Sequence, residues 1–182
     1  MLSALLSVSL CAIVYLLSTK MSNPASPNLE IRLQSPSVPP SFSPPIALSI
    51  KLSVVNRAES PATVLTWNSP LDPKANILIP FEIRNTDTDE VVQLDTIKFA
   101  RQLPPPKEDF SQIPPGGEVH AEVTLPIVPL YTGQKYTIRA KGWWQAVWES
   151  PIEDVPDYDL KRLAGALRGE FESEAVPIEV HE

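Results

Sequence analysis

Proline is the residue that most restricts how this chain can fold. The sequence has 21 prolines but only 6 glycines, and the prolines recur along most of its length. Because proline lacks an amide hydrogen and clashes with the preceding helical turn, it excludes long helices and interrupts central strands. The chain is therefore predicted to use short strands joined by extended connections.

The stretches between the prolines show the period-two alternation of β-strands. The clearest runs from Ile46 to Val54, where five apolar side chains lie on one face and alanine, serine and lysine lie on the other. No helix keeps alternate residues on one face, because its side chains advance by about 100° per residue. The other predicted strands are residues 29–33, 62–67, 77–84, 91–92 with 96–101, 118–125 and 135–141. Turn residues separate them, so the sequence predicts an all-β, immunoglobulin-like antiparallel β-sandwich of about seven to eight short strands with a short C-terminal helix.

The charge is concentrated at the end of the chain. Residues 149–182 hold ten acidic and three basic side chains, whereas residues 1–148 hold twelve of each, so the last segment accounts for the net charge of −7. A body without a basic face does not suit a nucleic-acid partner, whose counterions have to be exchanged for basic side chains. We predict that the sandwich covers residues 28–148 and that residues 149–182 form an acidic C-terminal segment.

Two elements are predicted in this acidic segment. Asp157 can cap a short helix that places Leu160, Leu163 and Leu167 on one side, and two glycines limit its length. Residues 175–180 return to strand alternation, and a proline on their outward face suits an edge strand.

Residues 1–20 form a hydrophobic leader, followed by a polar linker over residues 21–27. The leader is long enough to span a bilayer, and it lacks the basic start and the small-residue cleavage site of a typical signal peptide. Three interpretations stay open: a signal peptide, a single-pass membrane anchor, or translation from Met21, which would leave the protein in the cytoplasm. The signal peptide is the preferred interpretation, and it predicts a protein that is secreted or in the secretory pathway.

The residues that usually carry catalysis are scarce. The sequence has two histidines, and its single cysteine, Cys11, lies in the leader. Zinc hydrolysis, nucleophilic catalysis and proton relay ordinarily need histidine, cysteine or paired buried carboxylates. We therefore predict that the protein is not an enzyme, has no catalytic residues and needs no cofactor. An unfamiliar active site built from Asp95, Glu108 and Asp109 is the alternative.

One candidate metal site is present in the sequence. Glu118, His120 and Glu122 share the outward face of a predicted strand. Three ligands in a row on a flat strand converge poorly on a tetrahedral metal ion. This face is accordingly interpreted as a solvated strand surface, and no metal site is predicted.

Three of the four tryptophans lie close together near the end of a predicted strand: Trp143, Trp144 and Trp148. On a regular strand Trp144 and Trp148 share one face and Trp143 lies on the other, so one set can pack in the core. Exposed aromatic clusters mark binding surfaces. These three residues are the predicted binding residues. The two interpretations are core packing and a groove for a peptide or sugar, closed over by the acidic C-terminal segment.

The run from Ala62 to Pro73, followed by Phe81-Glu-Ile, resembles part of the N-terminal prodomain of fungal deuterolysin-type zinc metalloproteases. Those prodomains have an alternating strand ending in Val-x-Asn, a Trp-x-Thr-Pro-Leu-Asp segment, a Pro-x-Gly-Glu turn and a Tyr-Thr-Ile strand. The corresponding residues here are Val54–Asn56, Leu65–Asp72, Pro115–Val119 and Tyr136–Ile138. The resemblance covers residues 28–142 and does not include the zinc-binding catalytic domain.

The resemblance implies a fungal origin, a secretory-pathway family and a sandwich fold without protease activity. A free-standing prodomain-like module could bind a protein partner such as a metalloprotease. The first hypothesis is therefore a non-catalytic protein-interaction module. The alternative is a carbohydrate- or small-ligand-binding sandwich that uses the tryptophan cluster. No nucleic-acid partner is expected, and a membrane is a partner only if the leader is retained as an anchor.

Overall fold

The computed structural model describes residues 26–180, so the predicted leader and residues 21–25 of the predicted linker lie outside the described residues. The strands are β1 (Leu29–Leu33), β2 (Ser37–Val38), β3 (Ile46–Asn56), β4 (Ala62–Leu65), β5 (Phe81–Asn85), β6 (Phe110–Ile113), β7 (Glu118–Val128), β8 (Tyr136–Trp148), β9 (Leu167–Glu172), β10 (Val176–Pro177) and β11 (Glu179–Val180). The helices are α1 (Ala75–Leu78) and α2 (Asp157–Arg162). Across residues 26–180, none of the helices has the length and apolar character needed to cross a membrane.

β3 is the middle strand of the first sheet and pairs antiparallel with β1 and β7. Its alternate residues Leu48, Ile50 and Val54 are fully buried in the core, as the sequence predicts. Ser49 and Lys51 between them are exposed. This contrast fixes the register, because a slip of one residue would bury the polar face of the strand.

The 13-residue strand β8 is the centre of the second sheet. β5 and then β4 pair along one edge of β8, and β9 and then β10 pair along the other edge, all antiparallel. β6 extends this sheet through β4, and β2 forms a separate parallel pair with β11. The C-terminal segment thus contributes β9 and β10 to the second sheet.

Two apolar clusters hold the layers together. The main core lies between the sheets and includes Ile50, Ile138 and Trp144. A smaller group, the outer cluster, lies on the face of the second sheet that is turned away from the first sheet. Its buried members are Leu65, Trp67, Ala146, Trp148 and Val155. Side chains of α2 and of the residues after it pack on this outer cluster, so that part of the second sheet is covered on both faces.

The predicted all-β sandwich is confirmed, but of the two strands predicted between β4 and β6 only the second half of the first one forms. The predicted strand over residues 77–84 is divided: α1 comes first, Ile79 has a left-handed φ of 50°, and β5 begins only after Pro80. Proline cannot donate to a strand ladder, so pairing starts beyond it. Residues 91–92 and 96–101 are not strands, and only Val91 forms an isolated bridge, to Arg84.

The C-terminal helix is also shorter than predicted. Pro156 occupies its N-cap position, and the side chain of Asp157 binds Lys161 one turn later instead of capping. The helix ends at Arg162, because Leu163 adopts a left-handed φ of 55°. Leu167 therefore begins β9 instead of continuing the helix. The pattern that could have indicated β9 is that Leu167, Gly169 and Phe171 point inward and alternate with charged residues. Gly169 conceals this pattern in the sequence because it has no apolar side chain.

Candidate interaction surface

A bulge in β8 decides which way its tryptophans face. The pairing of β8 with β9 shifts between Trp144 and Val147, and this irregularity breaks the alternation of the strand. Trp144 is 1% exposed and packs in the main core against Phe171, with ring centroids 4.8 Å apart. Trp148 lies beyond the bulge and belongs to the outer cluster. Contrary to regular alternation, Trp144 and Trp148 therefore do not share a face.

The acidic C-terminal segment covers Trp148. The indole nitrogen of Trp148 donates a hydrogen bond to the carbonyl oxygen of Ala164 at 3.0 Å, and the ring packs against Phe110 with centroids 6.0 Å apart. Val155 and Leu160 complete the cover. A ring enclosed in this way offers no free face to a ligand, so Trp148 acts as a packing residue here.

Trp143 alone among the three predicted binding residues has an exposed ring. Its exposed fraction is 46%, whereas Trp144 and Trp148 are both below 10%. Trp143 lies opposite Glu170 of β9. The structure therefore does not bring the three tryptophans together into one binding platform.

Charged side chains on β5, β8 and β9 form an ion-pair network, in which Arg139 of β8, the strand that carries Trp143, pairs with Glu82 of β5 and Glu172 of β9. Its centre is Glu82, which accepts hydrogen bonds from two nitrogens of Arg139 at 2.5 and 3.0 Å. Arg84 lies 3.5 Å from the same carboxylate, and Lys141 lies 3.8 Å from it. Burial raises the pKa of Glu82, but the hydrogen bonds and charge of Arg139, with the charge of Lys141, outweigh burial and leave the pKa below its usual range.

The long connection between β5 and β6 presents an exposed apolar surface. We name residues 91–106 of this connection the strap. Four of the eight large hydrophobic side chains that are exposed in the described range lie in it: Val91, Ile97, Phe99 and Leu103. Val92 and Leu94 are half-buried and pack on the main core, which holds the start of the strap against the sandwich. The exposed apolar side chains of the strap therefore belong to a segment whose first residues are packed against the sandwich.

Asp72 and Arg101 anchor the middle of the strap. The buried Asp72 carboxylate accepts hydrogen bonds from the backbone amides of Asn68 at 2.8 Å and Lys74 at 2.9 Å, and it also forms an ion pair with Arg101. The Arg101 guanidinium lies 4.9 Å from the ring of Phe99. It thus ties an exposed aromatic residue of the strap to a buried carboxylate.

The same anchor includes the residues that carry the resemblance to metalloprotease prodomains. The ring of Trp67 lies 5.4 Å from the Arg101 guanidinium, and the Trp67 indole nitrogen donates to Asp109 at 2.5 Å. The run from Trp67 to Asp72 is thus a structural corner that holds the connection in place. Sequence reasoning misses the strap because Val91, Ile97 and Phe99 fall in segments that are predicted as strands. The available signal was the proline triplet that ends it.

The candidate catalytic and metal-binding residues do not form a site in the described range. Glu118 and His120 are 3.6 Å apart and exposed, and Glu122 accepts a hydrogen bond from Ser49. Across residues 26–180, no group of three or more histidine, cysteine, aspartate or glutamate side chains is arranged to hold a metal ion.

The alternative active site is also dispersed. Asp109 is occupied by the hydrogen bond from Trp67, and its main-chain carbonyl accepts from the Thr66 side chain at 3.0 Å. Asp95 and Glu108 are exposed. Paired buried carboxylates, on which this alternative depends, are therefore not formed by these three residues.

The family model of the immunoglobulin-like domain matches residues 28–180. The chain belongs to the immunoglobulin-like domain family. This immunoglobulin-like chain is 41% identical over 157 residues to a protein of Arthroderma benhamiae named "Uncharacterized secreted protein". The aligned region covers 85% of this chain and 79% of that fungal protein.

Two solved structures resemble the immunoglobulin-like chain more distantly. One is the structural-genomics target SoR45, with 5% sequence identity, a TM-score of 0.42 and coverage of 86% of this chain and 89% of that one. The other is the ASH / PapD-like domain 7 of human CEP192, with 14% identity, a TM-score of 0.34 and coverage of 98% and 99%. Likenesses this weak carry no argument about function.

Proposed function

We propose that this immunoglobulin-like protein is a secreted, non-catalytic module that binds another protein through the strap. The observation that carries the proposal is the exposure of Ile97, Phe99 and Leu103, which are 57%, 45% and 55% exposed, on one anchored segment. Exposed apolar groups concentrated in one region mark interaction sites more often than scattered ones do. The name of the Arthroderma benhamiae relative supports secretion.

The anchor makes the strap suitable for binding. Arg101 is paired with the buried Asp72 and lies against the ring of Phe99, so contact with the Arg101 guanidinium restrains the Phe99 side chain. A segment already fixed in its bound shape loses less conformational entropy when a partner binds. The strap therefore fits recognition with little rearrangement.

The backbone of the strap offers a second means of contact. Between residues 93 and 103 of the described chain, only the amide of Ile97 donates to another main-chain carbonyl, that of Ile77. Extended segments with free amides and carbonyls can pair with a strand of a partner, while exposed side chains give specificity. The strap combines both features.

The proposed partner of the strap is a protease. The resemblance of residues 28–142 to deuterolysin-type prodomains suggests a metalloprotease as the partner, with this protein acting as a free-standing prodomain-like module. The corner from Trp67 to Asp72, which carries that resemblance, positions the strap through Arg101. This link joins the resemblance to the proposed binding surface.

The test is capture of partners by the full-length protein expressed in a fungal host. Proteins bound from the host's secreted fraction are compared between the wild type and the variant Ile97→Ser/Leu103→Ser. The matched control is Ile127→Ser/Tyr131→Ser, which removes two side chains of similar exposure, 60% and 54%, outside the strap. We expect the strap variant to lose a specific partner and the control to keep it. Capture of no partner, or equal loss in both variants, overturns the proposal.

The carbohydrate-binding alternative now depends on one residue. Trp143 is the exposed tryptophan of the three, and aromatic rings with polar neighbours can stack on sugars. A partner that survives the strap variant but is lost with Trp143→Ala would favour this second function. Loss with the strap variant alone would favour the first.

A further inference from the structure

A cleft of about 610 Å³ lies beside the C-terminal end of the strap. One wall is formed by Pro104, Pro105 and Lys107 of the β5–β6 connection, and the opposite wall by residues 152–157 with Leu160 and Lys161 of α2. Phe110, which packs on Trp148, also lines it. The cleft is therefore built on the outer cluster, which gives it a firm base.

The cleft has an apolar floor and a charged rim, on which Glu153, Asp154 and Asp157 lie with Lys107 and Lys161. Phe110, Val155 and Leu160 provide apolar surface, and the two proline side chains add to it. Such clefts, with a few charged groups at the edge, are typical of sites that take one apolar group and orient it by its polar neighbours.

Two carboxylates on the rim are left available for a ligand. Asp157 is already paired with Lys161 at 2.5 Å. Glu153 and Asp154 are exposed on the short turn that precedes α2, and within residues 26–180 neither carboxylate forms an ion pair with a lysine or arginine. The segment around them is acidic, since residues 149–182 hold ten acidic and three basic side chains. With Asp157 and Lys161 paired, the two carboxylates of Glu153 and Asp154 outnumber the one remaining lysine of the rim, Lys107, so a bound group with positive charge complements this side of the cleft.

We propose that the cleft binds an extended peptide segment of the protein partner, one that carries an apolar side chain next to a lysine or arginine. The apolar side chain enters between Pro105 and Leu160, and the basic group lies against Glu153 and Asp154. Leu103 of the strap directly precedes the proline wall, so one partner can cover strap and cleft together. The inference rests on the proposed function, because it assigns the cleft to the same partner.

The probe is a library of random dodecapeptides displayed on phage and selected on the full-length protein. The cleft variant is Glu153→Lys/Asp154→Lys, and the matched control is Glu59→Lys/Glu174→Lys, which makes the same change of net charge at exposed positions outside the cleft. We expect enrichment of peptides with an apolar residue next to lysine or arginine. Binding of these peptides should be about tenfold weaker to the cleft variant and unchanged in the control.

Two results overturn the cleft assignment. One is selection without enrichment of apolar–basic sequences. The other is equal weakening in cleft and control variants, which would mean that net charge alone attracts the peptides. The proposed function fails separately: if the peptides bind the cleft but the strap variant Ile97→Ser/Leu103→Ser keeps every captured protein, the strap is not the partner surface. If the strap variant loses the partner while no peptide is enriched, the cleft assignment alone is wrong.

Discussion

Removal of the Asp72 carboxylate is the sharpest test of how the strap is held. In Asp72→Ala the amides of Asn68 and Lys74 lose their acceptor, and the Arg101 guanidinium loses its counterion. The Asp72 side chain is completely buried and that of Arg101 is 15% exposed, so little water is available to replace the lost contacts. We expect the fold to survive with reduced stability.

The magnitude follows from the type of contact. Breaking one side of a buried ion pair costs about 3–5 kcal/mol, because the remaining charge is left without a partner. Arg101→Met should cost less, about 2 kcal/mol, since the Asp72 carboxylate keeps two backbone donors and the methionine keeps part of the packing between Trp67 and Phe99. The double variant should be more stable than the sum of the two losses predicts, because it leaves no unpaired guanidinium.

The assay is urea unfolding at neutral pH, followed by tryptophan fluorescence. Asp87→Ala is the matched control, since Asp87 is exposed in the loop after β5 and its loss should change the free energy of unfolding by less than about 0.5 kcal/mol. A loss below about 1 kcal/mol in Asp72→Ala, or strict additivity in the double variant, would refute the view that this pair anchors the strap.

Two further predictions concern β8 and its neighbour Glu82. Trp148→Phe should lower the free energy of unfolding by about 1–2 kcal/mol, because it removes a partly buried hydrogen bond to the Ala164 carbonyl. Trp143→Phe should change it by less than about 0.5 kcal/mol, and equal losses in urea unfolding would contradict the difference in burial between the two rings. Burial raises the pKa of Glu82, but the hydrogen bonds and charge of Arg139, with the charge of Lys141, lower it by more than burial raises it. The pKa of Glu82 in the folded protein therefore lies below its pKa in the unfolded chain. The resulting stabilisation is complete above about pH 5 and is lost as the pH falls through the folded-state pKa. Glu82→Gln should therefore lose less stability than the wild type between neutral pH and about pH 4, and an identical decline in both proteins would disprove this role.

Local alternation was enough to locate the strands with one dry and one wet face. β3 and β7 lie where the sequence predicts them, because alternate apolar residues such as Ile50 and Val123 are buried and most of the residues between them are exposed. The exception is Ser53 of β3, which the alternation places on the outward face and which is buried. In these two strands the polarity of most side chains matches their burial. Prediction failed where a residue is buried by a distant segment, as in β9, where the main chain at Gly169 approaches Ser26 closely enough that a Cβ would lie 3.1 Å from the serine oxygen.

The candidate site was predicted less well than the fold. Trp143, Trp144 and Trp148 were singled out together, yet the bulge before Val147 separates them into an exposed ring, a core ring and a covered ring. A bulge depends on how two strands pair, so the sequence of neither strand contains a pattern that predicts it. Val91, Ile97 and Phe99 of the strap fall in predicted strands because the sequence of a segment does not show whether that segment finds a strand to pair with.

The sequence by itself determined that this protein is a proline-rich, all-β sandwich with an acidic end and few catalytic residue types. Those properties depend on composition and on alternation within single strands, which the chain carries locally. Only the tertiary structure decided that Arg101 meets Asp72, a residue 29 positions away, and that residues 104–107 and 152–161 face each other across a cleft. Such contacts join segments that are distant in sequence, and they exist only once the sheets have packed and brought those segments together.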